Sequence, residues 1–268
     1  MYPLVQIGPF RLSSGGLVLL IAILVGSSLL SRVARGRGGM KLAKQADNCF
    51  YPVLIGAVLG ARLWYGLFNL DLYGRNPALF VALRVSDFAW PGALVGGILF
   101  GYLWCRWNGF DELKLADSAA LALPVVQALA SIGLLLSGEA FGIPTTLPWG
   151  VPLFGATRHP TQIYFALAAL ISLIGLWRLA RRRLPIGALA AAYLGMNGLT
   201  LLLVEALRAD SLVFVGGFRA AQVFGLGLLL YALHWGRQHR DVVARPASAN
   251  QVGADAYEPT VDGTTRCG

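Results

Sequence analysis

The side chains best suited to chemistry in this chain stand in a few short stretches. One is Arg158-His159-Pro160-Thr161-Gln162. Arg158 offers a forked donor that fits phosphate, and His159 can lend or take a proton near neutral pH. Pro160 marks a helix start, where free backbone N–H groups and a positive dipole end favour an anion. The combination predicts a site for an anion such as a lipid phosphate, with Gln162 and Tyr164 extending the polar face. The plainer alternative is an interfacial pair that snorkels to a membrane surface. Arg62, Glu139 and Glu205 lie within or at the ends of apolar runs. A charge in the bilayer centre costs about 2.5–3.5 kcal/mol on insertion scales. These three are therefore either functional or parts of structural ion pairs, and are expected to form a polar centre facing a bundle interior. Asp117, close to Lys114 at a helix start, reads as a structural anion at a dipole end.

The elements that must position these groups follow from composition. The chain has 268 residues, 56% hydrophobic and only 13% charged, with a mean hydropathy of +0.63. A soluble domain carries about 25% charged residues, so a soluble enzyme and a disordered chain are both poor fits. Seven apolar runs stand near 15–31, 48–69, 90–105, 116–137, 160–177, 186–206 and 217–235. Each approaches the roughly 20 residues that a span needs. The fold class expected is all-α: a polytopic membrane protein of seven transmembrane helices, with a small outer cap made from 138–164 and 205–219. Trp149 in the cap suits the bilayer interface. The third run is short and rich in glycine, which predicts a tilted, broken or partly re-entrant element.

A net charge of +9 would suggest nucleic acid in a soluble protein. Here the basic residues cluster in loops and set topology, so no nucleic acid is expected. Fifteen of the 22 Lys and Arg fall in the loops after spans one, three and five and in the tail, six fall in the alternate segments, and Arg62 lies within a span. The positive-inside rule then places the amino terminus outside and the carboxyl terminus inside. Residues 1–244 form the membrane domain, and 245–268, polar throughout, are expected to be a disordered inner tail. The first apolar run lacks a basic leader and serves as insertion signal rather than as a cleaved peptide. Cys49, Cys105 and Cys267 are an odd number without ligand spacing, which predicts neither a disulfide framework nor a metal site.

Larger pieces of sequence carry a resemblance. They are D-N-C-F-Y at 47–51, G-A-R-L at 60–63, Asp117, S-G-E-A-F-G-I-P-T at 137–145, P-W-G-V at 148–151, R-H-P-T-Q-I-Y at 158–164 and V-E-A-L-R-A-D at 204–210. In this order on seven spans, the chain resembles the prolipoprotein diacylglyceryl transferases. The resemblance implies a bacterial inner-membrane enzyme of lipoprotein biosynthesis. Such an enzyme moves the diacylglyceryl group of phosphatidylglycerol to the thiol of a lipobox cysteine in a prolipoprotein signal peptide, releasing glycerol phosphate, with no cofactor and no metal. It implies His159, Glu139 and Arg62 as catalytic, and Arg158, Arg208, Gln162, Glu205 and Gly142 as lipid- or phosphate-binding. The chemistry asks for an activated thiol and for donors on the leaving phosphate.

Several family positions differ. Where the family reads G-R-I-G-N-F-I-N-G-E, this chain reads A-S-I-G-L-L-L-S-G-E at 130–139, so Ser131 replaces an arginine and Leu134 and Ser137 replace asparagines. Pro91, Gly92 and Ala93 stand for H-G-G, Leu201 for a second arginine, Gly15 for a tyrosine and Phe165 for a glutamate. One donor of this kind is worth about 10²–10³ in rate. The alternative is therefore a catalytically impaired paralogue that binds lipid or lipoprotein as an accessory. A transporter fits buried charge but lacks an internal repeat.

Overall fold

Glycine decides where the longest helical run bends. The computed structural model describes residues 4–7, 10–68, 70, 90–211, 213, 217 and 219–239. Its first helix, α1 (Ser14–Phe68), is continuous except at Gly38 and Gly39, whose backbone is non-helical, with Gly39 at φ 69°. Two limbs result, 14–37 and 40–68. The stretch expected to be a loop between the first two spans is helical on both sides of this bend. Arg32, Arg35, Lys41 and Lys44 are exposed there while Ala34, Leu42 and Ala46 are buried. Arginine and lysine are good helix formers, so only the glycines interrupt.

Among the described residues five helices follow: α2 (Trp90–Asn108), α3 (Glu112–Ser137), α4 (Thr161–Ala180), α5 (Ala188–Val204) and α6 (Ala220–Gln238). α2 is unbroken over 19 residues, so the third run is neither split nor interrupted as its glycines suggested. Two short antiparallel hairpins add strand to the expected all-α fold. They are β1 (Leu4–Ile7) with β2 (Phe10–Ser13), and β3 (Val151–Leu153) with β4 (Ala156–Arg158). The tail from 245, and Arg75 and Arg84 of the expected outer loop, lie outside the described residues.

The glycines of α2 serve contact instead. A Cβ on Gly60 would stand 2.2 Å from the Gly92 carbonyl oxygen, and one on Gly96 would stand 2.1 Å from that of Gly56. The second limb of α1 and α2 therefore touch backbone to backbone, antiparallel. This is the small-residue packing that substitutes for a hydrophobic driving force in lipid. α5 and α6 repeat the device at Gly198 and Gly225. The first limb of α1 runs against α3, with Gly15 beside Ser137 at one end and Arg37 Nη2 3.8 Å from Asp117 Oδ2 at the other.

Large apolar side chains cover the outer faces, with Ile98 71% and Ile171 70% exposed. Water would tolerate no such surface on a monomer; acyl chains would. Among the described residues, four helices are long and apolar enough to cross a membrane, beginning at Ser14, Glu112, Thr161 and Ala188. The protein is a helical membrane protein.

Asp117 closes the end of the bundle away from the β-hairpins. It is 2% exposed. Its Oδ2 accepts the Gly187 N–H and its Oδ1 the Ala190 N–H, both at 2.9 Å. It thus caps the start of α5, seventy residues away, while Lys114 pairs with Asp111 instead. The structural-anion reading fits this geometry, although the dipole served is that of a neighbouring helix.

Two outcomes follow from this packing. Gly96→Val drives a side chain into the Gly56 backbone and should cost about 3 kcal/mol, the upper end of overpacking. Gly227→Ala, facing open space, should leave the detergent-solubilised melting temperature where it was. Equal melting of the two variants would remove the close crossing. Asp117→Ala leaves two buried N–H groups unpaired and should cost about 2–4 kcal/mol, read in the same melt.

Candidate active site

α3 ends because Gly138 turns left-handed at φ 78°, its N–H closing on the Leu134 carbonyl at 3.0 Å. Ala140 follows at φ 54°, an unusual conformation for a residue with a Cβ. Two contacts hold it there. The Thr161 hydroxyl donates to the Ala140 carbonyl, and Asp210 Oδ2 accepts the Ala140 N–H at 3.0 Å.

Beyond it, 141–145 runs extended between two other segments. On one side Gly142 N–H donates to the His159 carbonyl, His159 N–H to Ile143 and Thr145 N–H to Thr157. On the other, Ile143 N–H donates to Leu207 and Ala209 N–H to Phe141. Gly142 pairs with Arg208 across this second edge. Three motifs distant in sequence thus become neighbours in one small sheet, extended by the β3–β4 hairpin. It brings together Gly142, Arg158, His159 and Arg208. Gly142 must be glycine, because a Cβ would stand 2.4 Å from the His159 carbonyl oxygen.

Arg158 is half-buried. Its Nε donates to the Leu153 carbonyl at 3.1 Å and its Nη1 to that of Gly142 at 3.4 Å, with the guanidinium 5.1 Å over the Phe141 ring. Two of its five donors therefore hold the cap, and the others remain for a ligand. The helix start beside it offers less than expected. The Thr161 N–H is taken by the His159 carbonyl, and those of Ile163 and Tyr164 by Pro160. An anion here would rely on the side chain more than on free backbone donors.

His159 Nδ1 lies 3.2 Å from the Tyr164 hydroxyl, which accepts the Trp149 indole N–H at 2.9 Å. The imidazole is thereby fixed from one side, with Nε2 left to act. Gln162 is 2% exposed, and its Nε2 donates to the Glu139 carbonyl. Burial takes it off the expected polar face and makes it a clasp between α4 and the end of α3.

Of the expected centre of Arg62, Glu139 and Glu205, the side-chain contacts described are those of Glu205. Glu139 follows the end of α3, and its side chain is exposed. Arg62 is buried on the second limb of α1, two residues past the Gly60 contact. Glu205, 2% exposed in the 3₁₀ turn Glu205–Leu207, takes Arg208 Nη1 at 3.2 Å and the Ser211 hydroxyl at 2.8 Å on Oε1. Arg208 Nε reaches Asp210 Oδ1 at 2.9 Å. Burial works against the Arg208 charge, but Asp210 and Glu205 outweigh it and hold its pKa above the ordinary value. Arg219 Nη1 donates to the Arg208 carbonyl and to Ser211 Oγ. Sequence reasoning missed Asp210 as a member of this network. Its signal was the Arg-Ala-Asp spacing, which lets one guanidinium sit between two carboxylates.

A family model described as prolipoprotein diacylglyceryl transferase matches residues 3–235. Relatives named phosphatidylglycerol–prolipoprotein diacylglyceryl transferase include one from Synechococcus elongatus, 34% identical over 92% of this chain and 92% of the relative. Another, from Trichormus variabilis, is 33% identical over 91% and 93%, and one from Clostridioides difficile is 30% identical over 79% and 84%. The match runs through both limbs of α1, every later helix and the whole cap: the chain belongs to the prolipoprotein diacylglyceryl transferase family.

Proposed function

We propose that the chain transfers the diacylglyceryl group of phosphatidylglycerol to the lipobox cysteine of prolipoproteins, within the bacterial inner membrane. The observation that carries this is the cap. In a family member matched over 3–235, three separate motifs meet around Gly142 and set Arg158, His159 and Arg208 on one sheet. In the reaction a thiol loses its proton and attacks the glycerol carbon, the C–O bond to phosphate breaks, and glycerol phosphate leaves with the negative charge. His159 takes the thiol proton on Nε2, with Nδ1–H held on Tyr164 Oη. The free donors of Arg158 hold the phosphate. Arg208 with Glu205, Gly142 and Gln162 shape the lipid end, and Arg62 and Glu139 complete the catalytic set from the bundle side.

Both substrates are membrane-bound, which suits seven spans with the cap outside. In this proposal the two limbs of α1 and the five later helices are the seven; four of the described helices are long and apolar enough to cross a membrane. The amino-terminal hairpin shares the cap's end of the bundle, since Gly15 lies beside Ser137. The arginine-rich segments lie at the opposite end, where Arg37 meets Asp117.

One observation favours the second reading, an impaired paralogue that binds lipid or lipoprotein as an accessory. Ser131, in the place of a family arginine, is buried with its hydroxyl on the Gln127 carbonyl of its own helix at 2.8 Å. Leu201, in the place of the other, faces Gly225 of α6. Neither position presents a donor to a phosphate.

Complementation separates the two. In cells depleted of their own transferase, this chain should restore diacylglyceryl-modified prolipoprotein; failure, with the chain present in the membrane, selects the accessory reading. Arg158→Ala should weaken phosphatidylglycerol binding by about 1–3 kcal/mol, the cost of a lost charge-assisted partner, and an unchanged titration would leave Arg158 as a cap fastener only. His159→Gln should keep lipid binding and lose transfer. Reporter fusions after Arg35 and Arg183 should report inside and one near Thr145 outside; an outside signal after Arg183 would break the seven-span arrangement.

A further inference from the structure

Two of the chain's three cysteines meet. Cys49, on the second limb of α1, and Cys105, near the end of α2, are 56 residues apart, yet their sulfurs lie 3.5 Å from each other. Both are buried and both are free thiols. They share an apolar cluster with Ala34, Leu42, Ala46 and Leu115, against which Leu30, Trp104 and Phe110 pack. We propose that Cys49 and Cys105 form an oxidisable dithiol that closes to a disulfide and fastens the second limb of α1 to α2.

The geometry makes the step short. A disulfide needs about 2.05 Å between sulfurs, so they must approach by roughly 1.5 Å from the observed 3.5 Å. The backbones already touch a few turns away, where Gly56 and Gly60 meet Gly92 and Gly96. The surroundings choose the reagent. The apolar neighbours of the two thiols favour small uncharged oxidants over charged ones. Hydrogen peroxide is of the first kind. One thiol takes an oxygen from peroxide and becomes a sulfenic acid, releasing a water. The second thiol then attacks that sulfur, the S–S bond forms, and the hydroxyl leaves as a second water with the proton of the attacking thiol. Two thiols lose two electrons and peroxide gains them. Trp104 adds a feature that suits the intermediate: its indole N–H is buried against this cluster without a hydrogen-bond partner among the described residues, and a sulfenic oxygen is an acceptor.

Thiol counting on the full chain in membranes tests this. After denaturation, the untreated chain should take three maleimides, on Cys49, Cys105 and Cys267. After hydrogen peroxide it should take one, and mass spectrometry should find the Cys49 and Cys105 peptides joined within a single chain. The oxidised form should also melt higher than the reduced form. Oxidised glutathione, which is charged, should leave Cys49 and Cys105 as thiols. Three maleimides after peroxide would overturn the proposal. So would sulfinic acids without an S–S bond, or a disulfide through Cys267 that a Cys267→Ser variant abolishes. Oxidation by glutathione disulfide as fast as by peroxide would overturn the selection by charge. All these readouts use chains with both partner cysteines in place, so none depends on a Cys49 or Cys105 variant folding.

Discussion

The cap hangs on one stretch of main chain, 141–145, which passes between two other segments with no space for a side chain at Gly142. Backbone N–H and C=O groups near a bilayer must find partners, because unpaired ones cost several kcal/mol. Here each neighbour supplies them: 157–159 on one edge and 207–209 on the other. Those neighbours are the chain entering α4 and the chain leaving α5. The end of α3, the start of α4 and the end of α5 are thereby set relative to one another by hydrogen bonds rather than by apolar packing. Each bond is worth only about 1 kcal/mol net, but the set fixes register, and register is what aims Arg158, His159 and Arg208.

Charge follows the same logic at both ends of the bundle. Asp117 caps Gly187 and Ala190 at one end, and Asp210 caps Ala140 at the other. Both carboxylates link segments about seventy residues apart through backbone N–H groups. Glu205 is different, since it answers a guanidinium. Removing one partner of such a buried pair costs more than the pair contributes, about 3–5 kcal/mol. The carboxylates here are therefore fasteners first, and any role in chemistry is built on geometry they maintain.

Much of this was legible in sequence, and the failures have physical causes. The apolar runs marked the helices to within a few residues, because bilayer thickness imposes length. The stretch 32–47 misled, since exposed Arg and Lys read as loop while also forming helix well. The hydrogen bond of Gln162 to the Glu139 carbonyl follows from no motif, because a buried amide satisfies the backbone that lies nearest. Insertion cost says that Glu205 needs a partner, not which one. Asp210 meets Arg208 and Ser211 meets Glu205 only through the turn after α5. Cys49 and Cys105 gave no signal, because a separation of 56 residues matches no spacing rule.

The interior between the two ends shows how a site can change without unfolding its scaffold. Halfway along α3, the Gln127 amide donates to Asn197 of α5 at 2.5 Å, and Asn197 in turn donates to the Tyr193 carbonyl at 2.9 Å. Neutral amides of this kind can bridge helices in lipid for about 1 kcal/mol without the desolvation cost of a charge. Ser131, one turn beyond Gln127, returns its hydroxyl to the Gln127 carbonyl. Where the family carries an arginine, this chain therefore keeps a self-satisfied neutral layer. The sheet around Gly142 draws none of its hydrogen bonds from that layer. The neutral layer within the spans and the sheet that carries Arg158, His159 and Arg208 are for that reason separate hydrogen-bonded units. In the cap, Arg158, His159 and Arg208 stand where backbone and neighbouring side chains pair them.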